Sequence, residues 1–224
     1  MKVIKCDLPT ELKSIELHPL FDLHIGDSLS DGLLIQETID HIKNTPNAYC
    51  ILGGDLMDTA IATSVGDTYG ANLQPMQQLE MCVKLFEPIK DKILCIVPGN
   101  HENRIYRSDG MDITAIMAAQ LGLQGKYSAT SSFLFVRLGK DQSERHHGRK
   151  VSYSIYCYHG SGGGKKKAGK STVLQTWPKS VMLTFTSVGI LTCQQSSEPV
   201  FTERRIKIAV LATPISCTLT RQPA

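Results

Sequence analysis

The chain has 224 residues, 42% of them hydrophobic and 20% charged, which is enough for one substantial core and ordinary for a soluble globular protein. Its formal net charge of +3 is too small to demand a nucleic-acid partner. Its seven cysteines include no Cys-x-x-Cys pair, several lie in apolar runs where a reduced thiol acts as a small hydrophobe, and Met1-Lys2-Val3-Ile4-Lys5-Cys6 has no apolar signal core, so a soluble cytoplasmic protein is expected.

Residues 17–23 read as a short strand ending at Asp22-Leu23-His24. Asp31 opens a helix in which Leu33, Leu34, Ile39 and Ile42 recur at helical spacing, and this helix stops before Pro46. Tyr49-Cys50-Ile51-Leu52 is a buried strand, after which Gly53-Gly54 turns the backbone so that Asp55 faces outward. A second helix is expected over 74–89, a third strand over 93–97 running into Pro98-Gly99, and a further helix over 112–121. Strands alternating with helices predict an α/β fold, a largely open sheet with helices on its faces.

The pattern then changes to shorter β-rich pieces, 132–138 and 151–158, separated by a charged loop over 139–150. They read as a hairpin or a second small sheet, and the latter strand delivers His159. Lys165, Lys166, Lys167 and Lys170 follow in a Gly-rich loop, where solvation is the first reading and phosphate attraction the second. The apolar run over 181–193 is too short and too rich in Ser and Thr to span a bilayer. Residues 171–224 contain no Asp, Asn or His and no sustained period, which is out of character for the end of a metal-binding domain.

Four clusters of ligand-type residues occur in order: Asp22-Leu23-His24, Gly53 to Asp58, Gly99-Asn100-His101-Glu102, and Tyr158-His159-Gly160. The first three follow strand-like runs, so their carboxylates, imidazoles and amide collect at one sheet edge, where α/β proteins place their sites. An Asp and a His two apart on an extended strand end point the same way. Asp55 on its elbow can bridge two cations, although alone it would more often be an Asx turn or a helix cap. Asn100 offers a neutral carbonyl ligand, while His101 can stay free of metal as a proton donor. Arg104 and Arg107 could reach a substrate phosphate, against the plainer reading of solvated or ion-paired arginines. His18, His41, His146 and His147 receive no role.

Together these motifs resemble the successive motifs of the calcineurin-like metallophosphoesterases, over about residues 15–170. The resemblance implies a layered β-sheet core flanked by helices, with Asp22 and His24 on a first metal, Asp55 bridging, and Asn100 and His159 on a second. It implies that His101 protonates the leaving group or steadies the transition state. The cofactors implied are two divalent ions, Mn2+ first with Zn2+ or Fe as alternatives, and the substrate is a phosphomonoester or phosphodiester. Two such ions roughly 3.5–4 Å apart clamp a phosphoryl group and acidify a bridging water. Neither the particular substrate nor the oligomeric state is written in the motifs.

The family closes with a Gly-His-x-His element, and this chain has no histidine after His159. Residues 187–195 can be encoded by TCA GTG GGC ATA CTC ACC TGC CAG CAA, and reading from the third base gives SGHTHLPA. Continued back to Ser171, the same shift permits NRLADLAKVCDADIYFSGHTHLPA, which has a helix-like start, an Asp-rich turn, a strand and then the ligand loop. The expected organisation is therefore an incomplete domain over 1–170 and a frameshifted, non-native tail over 171–224, with metal binding weakened by the missing ligands. The competing expectations are an inactive truncated product with residual metal or phosphate binding, and a nucleic-acid module using the lysine loop, which lacks interleaved aromatics.

Overall fold

The computed structural model describes residues 1–12, 14–59, 73–138, 151–160, 181–184, 190–196 and 205–208. The charged loop, the lysine loop, His146 and His147 lie outside the described residues. In chain order the elements are β1 (Lys2–Asp7), β2 (Ser14–Leu20), α1 (Gly32–Asn44), β3 (Ala48–Leu52), α2 (Pro75–Phe86), β4 (Ile93–Ile96), α3 (Glu102–Asp109), α4 (Ile113–Gln120), β5 (Ser131–Leu138), β6 (Val151–Tyr158), β7 (Val181–Thr184), β8 (Ile190–Ser196) and β9 (Arg205–Ile208). They form a mixed α/β fold with two sheets, one ordered β4-β3-β2-β9 and the other β1-β5-β6-β8-β7.

The helices begin where their caps dictate. The Asp31 carboxylate accepts from the Leu34 N–H at 3.0 Å, and α1 ends ahead of Pro46, which disfavours a helical residue before it. Gln74 and Gln77 form a reciprocal cap at the start of α2, with Pro75 in the first turn. The expected helix over 74–89 is shorter, because Pro88 has no N–H to continue the ladder and the chain tightens into a 3-10 turn over Glu87–Lys92.

β2, β3 and β4 run parallel and bury both faces, as parallel strands do. Alternation in β3 sends Ala48, Cys50 and Leu52 into a core shared with α1, α2 and α4, and Tyr49 and Ile51 into a second core shared with Leu134, Val136 and Ile155 of the other sheet. The first sheet thus has helices on one face and a sheet on the other, which corrects the expectation of helices on both. The reason lies in β5 and β6, whose antiparallel hairpin has enough alternating apolar residues to cover that face, and β1 joins it in parallel with β5. Each fully buried Leu or Ile contributes about 1.5–3 kcal/mol, so the two cores fix the strand ends firmly.

Residues 171–224 supply β7, β8 and β9; β8 lies antiparallel to β6, and β9 parallel to β2. Among the described residues no helix is long and apolar enough to cross a membrane.

Candidate metal centre

The strand expected over 17–23 is β2, which stops at Leu20, so Asp22 and His24 are loop residues. Both have left-handed backbone, with φ of 53° and 47°, as does Asp55 with φ of 49°. Non-glycine residues held there cost about 1–3 kcal/mol each, and such conformations cluster at functional sites. The expected extended pair of side chains is therefore replaced by two turn residues, held by the loop after β3. The Asp22 N–H donates to Gly54 O at 3.1 Å, His24 N–H to Asp55 O at 3.0 Å, Ile25 N–H to Leu56 O at 2.8 Å and Asp58 N–H to Ile25 O at 3.2 Å. Gly54, with φ of 100°, lets this loop touch the turn after β4, where a Cβ would stand 2.5 Å from the Gly99 nitrogen.

Glu102 locks the two turns together. It is 2% exposed, and its carboxylate accepts from the N–H groups of Asp55 (3.1 Å), Leu56 (2.7 Å), Met57 (3.0 Å) and Gly99 (2.8 Å). Burial pushes its carboxyl above the usual range and the charge of Asp55 adds to this, while the Met57 and Gly99 donors oppose it. Glu102 closes the Gly99-Asn100-His101-Glu102 motif, and the sequence signal for its role is its three-residue offset from Gly99, the spacing of a capping box.

Side chains from four loops converge on this frame. His159 is 2% exposed, and its Nε2 lies 3.5 Å from Asp22 Oδ1 and 3.4 Å from Asp55 Oδ2 without a hydrogen-bond partner among the described residues. Burial disfavours its charged form, but Asp22 and Asp55 outweigh this and hold its pKa above the ordinary imidazole value. Beside this group, Asp58 Oδ1 lies 3.9 Å from His24 Nδ1 and 3.2 Å from His101 Nδ1, and the two rings meet edge-on at 4.5 Å. The groups adjoin where His24 Nε2 lies 3.9 Å from Asp22 Oδ1 and His101 Nε2 3.8 Å from Asp55 Oδ2. Asp58 had no assigned role in the sequence, yet it sits between two imidazoles.

The His101 N–H donates to Asp55 Oδ1 at 2.8 Å, and Arg104 Nη2 lies 3.0 Å from His101 Nε2. Because a guanidinium can only donate, that contact suits the tautomer with Nδ1–H donating to Asp58 O at 2.7 Å. Asn100 is exposed and lines a cleft of about 520 Å3 with Asn103, Tyr106, Arg107 and His159. Arg104 therefore touches the catalytic candidate, and Arg107 the cleft wall.

In each of the groups Asp22, Asp55, His159 and His24, Asp58, His101, donor atoms from all three residues lie within 4.8 Å of one another. Carboxylate and imidazole donors suit Mn2+, Zn2+ or Fe, and the buried Nε2 of His159, which faces Asp22 and Asp55 without a geometric hydrogen bond, is the kind of atom a cation would satisfy. Compared with protein-family models, curated proteins and solved structures, the chain matches none.

Proposed function

We propose that this is a metal-dependent phosphoesterase with a dinuclear site, in which Asp22, His24, Asp55, Asn100 and His159 hold two divalent ions. The observation that carries this reading is the convergence of Asp22 and Asp55 on the buried Nε2 of His159. The helical layer, parallel sheet and mixed sheet support it, since a layered core is what the sequence resemblance implies. When bound, two such ions supply a positive clamp for phosphoryl oxygens and a water of lowered pKa. Glu102 keeps Asp55 in place, Arg104 orients the His101 ring, His101 protonates the leaving oxygen once its Nε2 carries a proton in place of the Arg104 contact, and Asn100 and Arg107 border the cleft that admits the ester.

The test is Mn2+-dependent hydrolysis of an aryl phosphodiester together with metal content. Asp55→Asn should lose the two ions of this centre together with turnover, whereas His101→Ala should keep them and lose about 10²-fold or more in rate. Equal metal content in the parent and Asp55→Asn would overturn the assignment. A second reading, an inactive product retaining residual metal, is favoured by the lack of any histidine after His159. Metal uptake with no turnover would select it.

A further inference from the structure

A third cluster of donors shares no residue with the proposed centre. Glu16 and His18 alternate on β2, so both face α1, and α1 brings His41 over them. His41 Nε2 and His18 Nε2 each lie 2.8 Å from the same oxygen, Glu16 Oε1, and the two rings stand edge-on at 5.2 Å. The three donor atoms all lie within 4.8 Å of one another. The contact to His41 is a hydrogen bond, whereas the His18 Nε2, buried at 6% residue exposure, meets the same oxygen at ion-pair distance without hydrogen-bond geometry. A buried imidazole nitrogen pressed against a carboxylate oxygen without hydrogen-bond geometry is placed so that a cation bound between the two could satisfy both.

We propose that Glu16, His18 and His41 form a separate mononuclear site for a Zn2+-class cation, pinning the C-terminal end of α1 to β2. Two imidazoles and a carboxylate with a fourth position for water are a common zinc donor set. With Zn–N and Zn–O bonds of about 2.0–2.1 Å, a tetrahedral site needs donors roughly 3.3 Å apart, so the Glu16 carboxylate withdraws by about half an ångström to admit the ion. Glu16 is on the strand with only a quarter of its side chain exposed, and His41, half-exposed, leaves an entry path from solvent.

The experiment loads the metal-free full-length chain with Co2+ as a spectroscopic stand-in for Zn2+. Asp55→Asn, which disables the other centre, should still take up one Co2+ with the visible absorption of a tetrahedral site. Adding His41→Ala should weaken that uptake by more than about 100-fold, since even outer-shell losses cost about 10–100-fold. In the unmutated chain, Zn2+ should shield His41 from acylation by diethyl pyrocarbonate. No Co2+ uptake by Asp55→Asn, equal uptake by the double variant, or equal His41 acylation with and without Zn2+ overturns the proposal. Loss of turnover without these changes bears on the dinuclear reading alone.

Discussion

Four backbone N–H groups from two different turns end on the single carboxylate of Glu102, and that makes it the residue on which the geometry of Asp55 depends. Removing an acceptor leaves each buried donor unsatisfied, at about 1–3 kcal/mol apiece. These terms do not add fully, and we expect Glu102→Ala to cost at least about 3 kcal/mol. Glu102→Gln should be little better, because its amide NH2 would face two of the donors. An unfolding free energy from urea titration within about 1 kcal/mol of the parent, at unchanged slope, would contradict this. Metal content should fall in both variants although Glu102 touches no metal. At this scale the sequence was legible where residue chemistry suffices: Asp22, His24, Asp55 and His159 do meet. What it hid was backbone conformation, since nothing in Asp-x-His announces two left-handed residues, and nothing in a motif says that Asp58 lies between His24 and His101.

Elements were legible where pattern and caps agree, as in α1, with Asp31 and Pro46 at its ends, and in β3, β5 and β6. β1 and α3 were not. Of the apolar residues in β1, Val3 is half-exposed and only Ile4 is fully buried, so β1 exists because β5 offers it an edge. α3 buries only Ile105 besides Glu102, too little for a helical period to show. The start of α4 allows a sharper test. Asp112 accepts from the Ala115 N–H at 2.9 Å with one oxygen and from the Tyr127 hydroxyl with the other, tying the helix to the segment that bridges to β4. Asp112→Ala should lose a cap worth about 0.5–2 kcal/mol and a charged hydrogen bond worth about 1.5–3 kcal/mol. Burial first, and then the Asp112 bond and charge, push the Tyr127 pKa well above its ordinary value of 10.0. The folded chain therefore keeps a proton that the unfolded chain releases near pH 10, so this tyrosine's contribution is intact below that pH and is lost as pH rises beyond it. Tyr127→Phe should lower the urea midpoint below pH 10 and flatten its decline above. An equally steep alkaline decline in both chains would refute the coupling.

For the whole molecule, the question is how residues 171–224 relate to the site. β8 pairs Tyr158 with Ile190 and Tyr156 with Thr192, so the codons around 190–192 come to the end of β6 that presents His159. In the shifted frame the two histidine codons span codons 189/190 and 191/192, and read that way they would add two imidazoles beside the strand end that already carries one. We therefore expect that inserting one base near codon 171, which replaces the tail with a segment containing Gly-His-Thr-His, raises both metal stoichiometry and Mn2+-dependent phosphodiester hydrolysis. The expectation rests on the β8 register, on the absence of histidine after His159, and on the need of each ion for a full ligand set. Because binding to the folded state alone also stabilises it, the repaired chain should show a larger rise in melting temperature on adding Mn2+ than the original. If it binds no more metal, hydrolyses no faster and gains no added thermal shift, the frameshift account is wrong, and β7, β8 and β9 are native strands of a protein whose site is complete without further histidines.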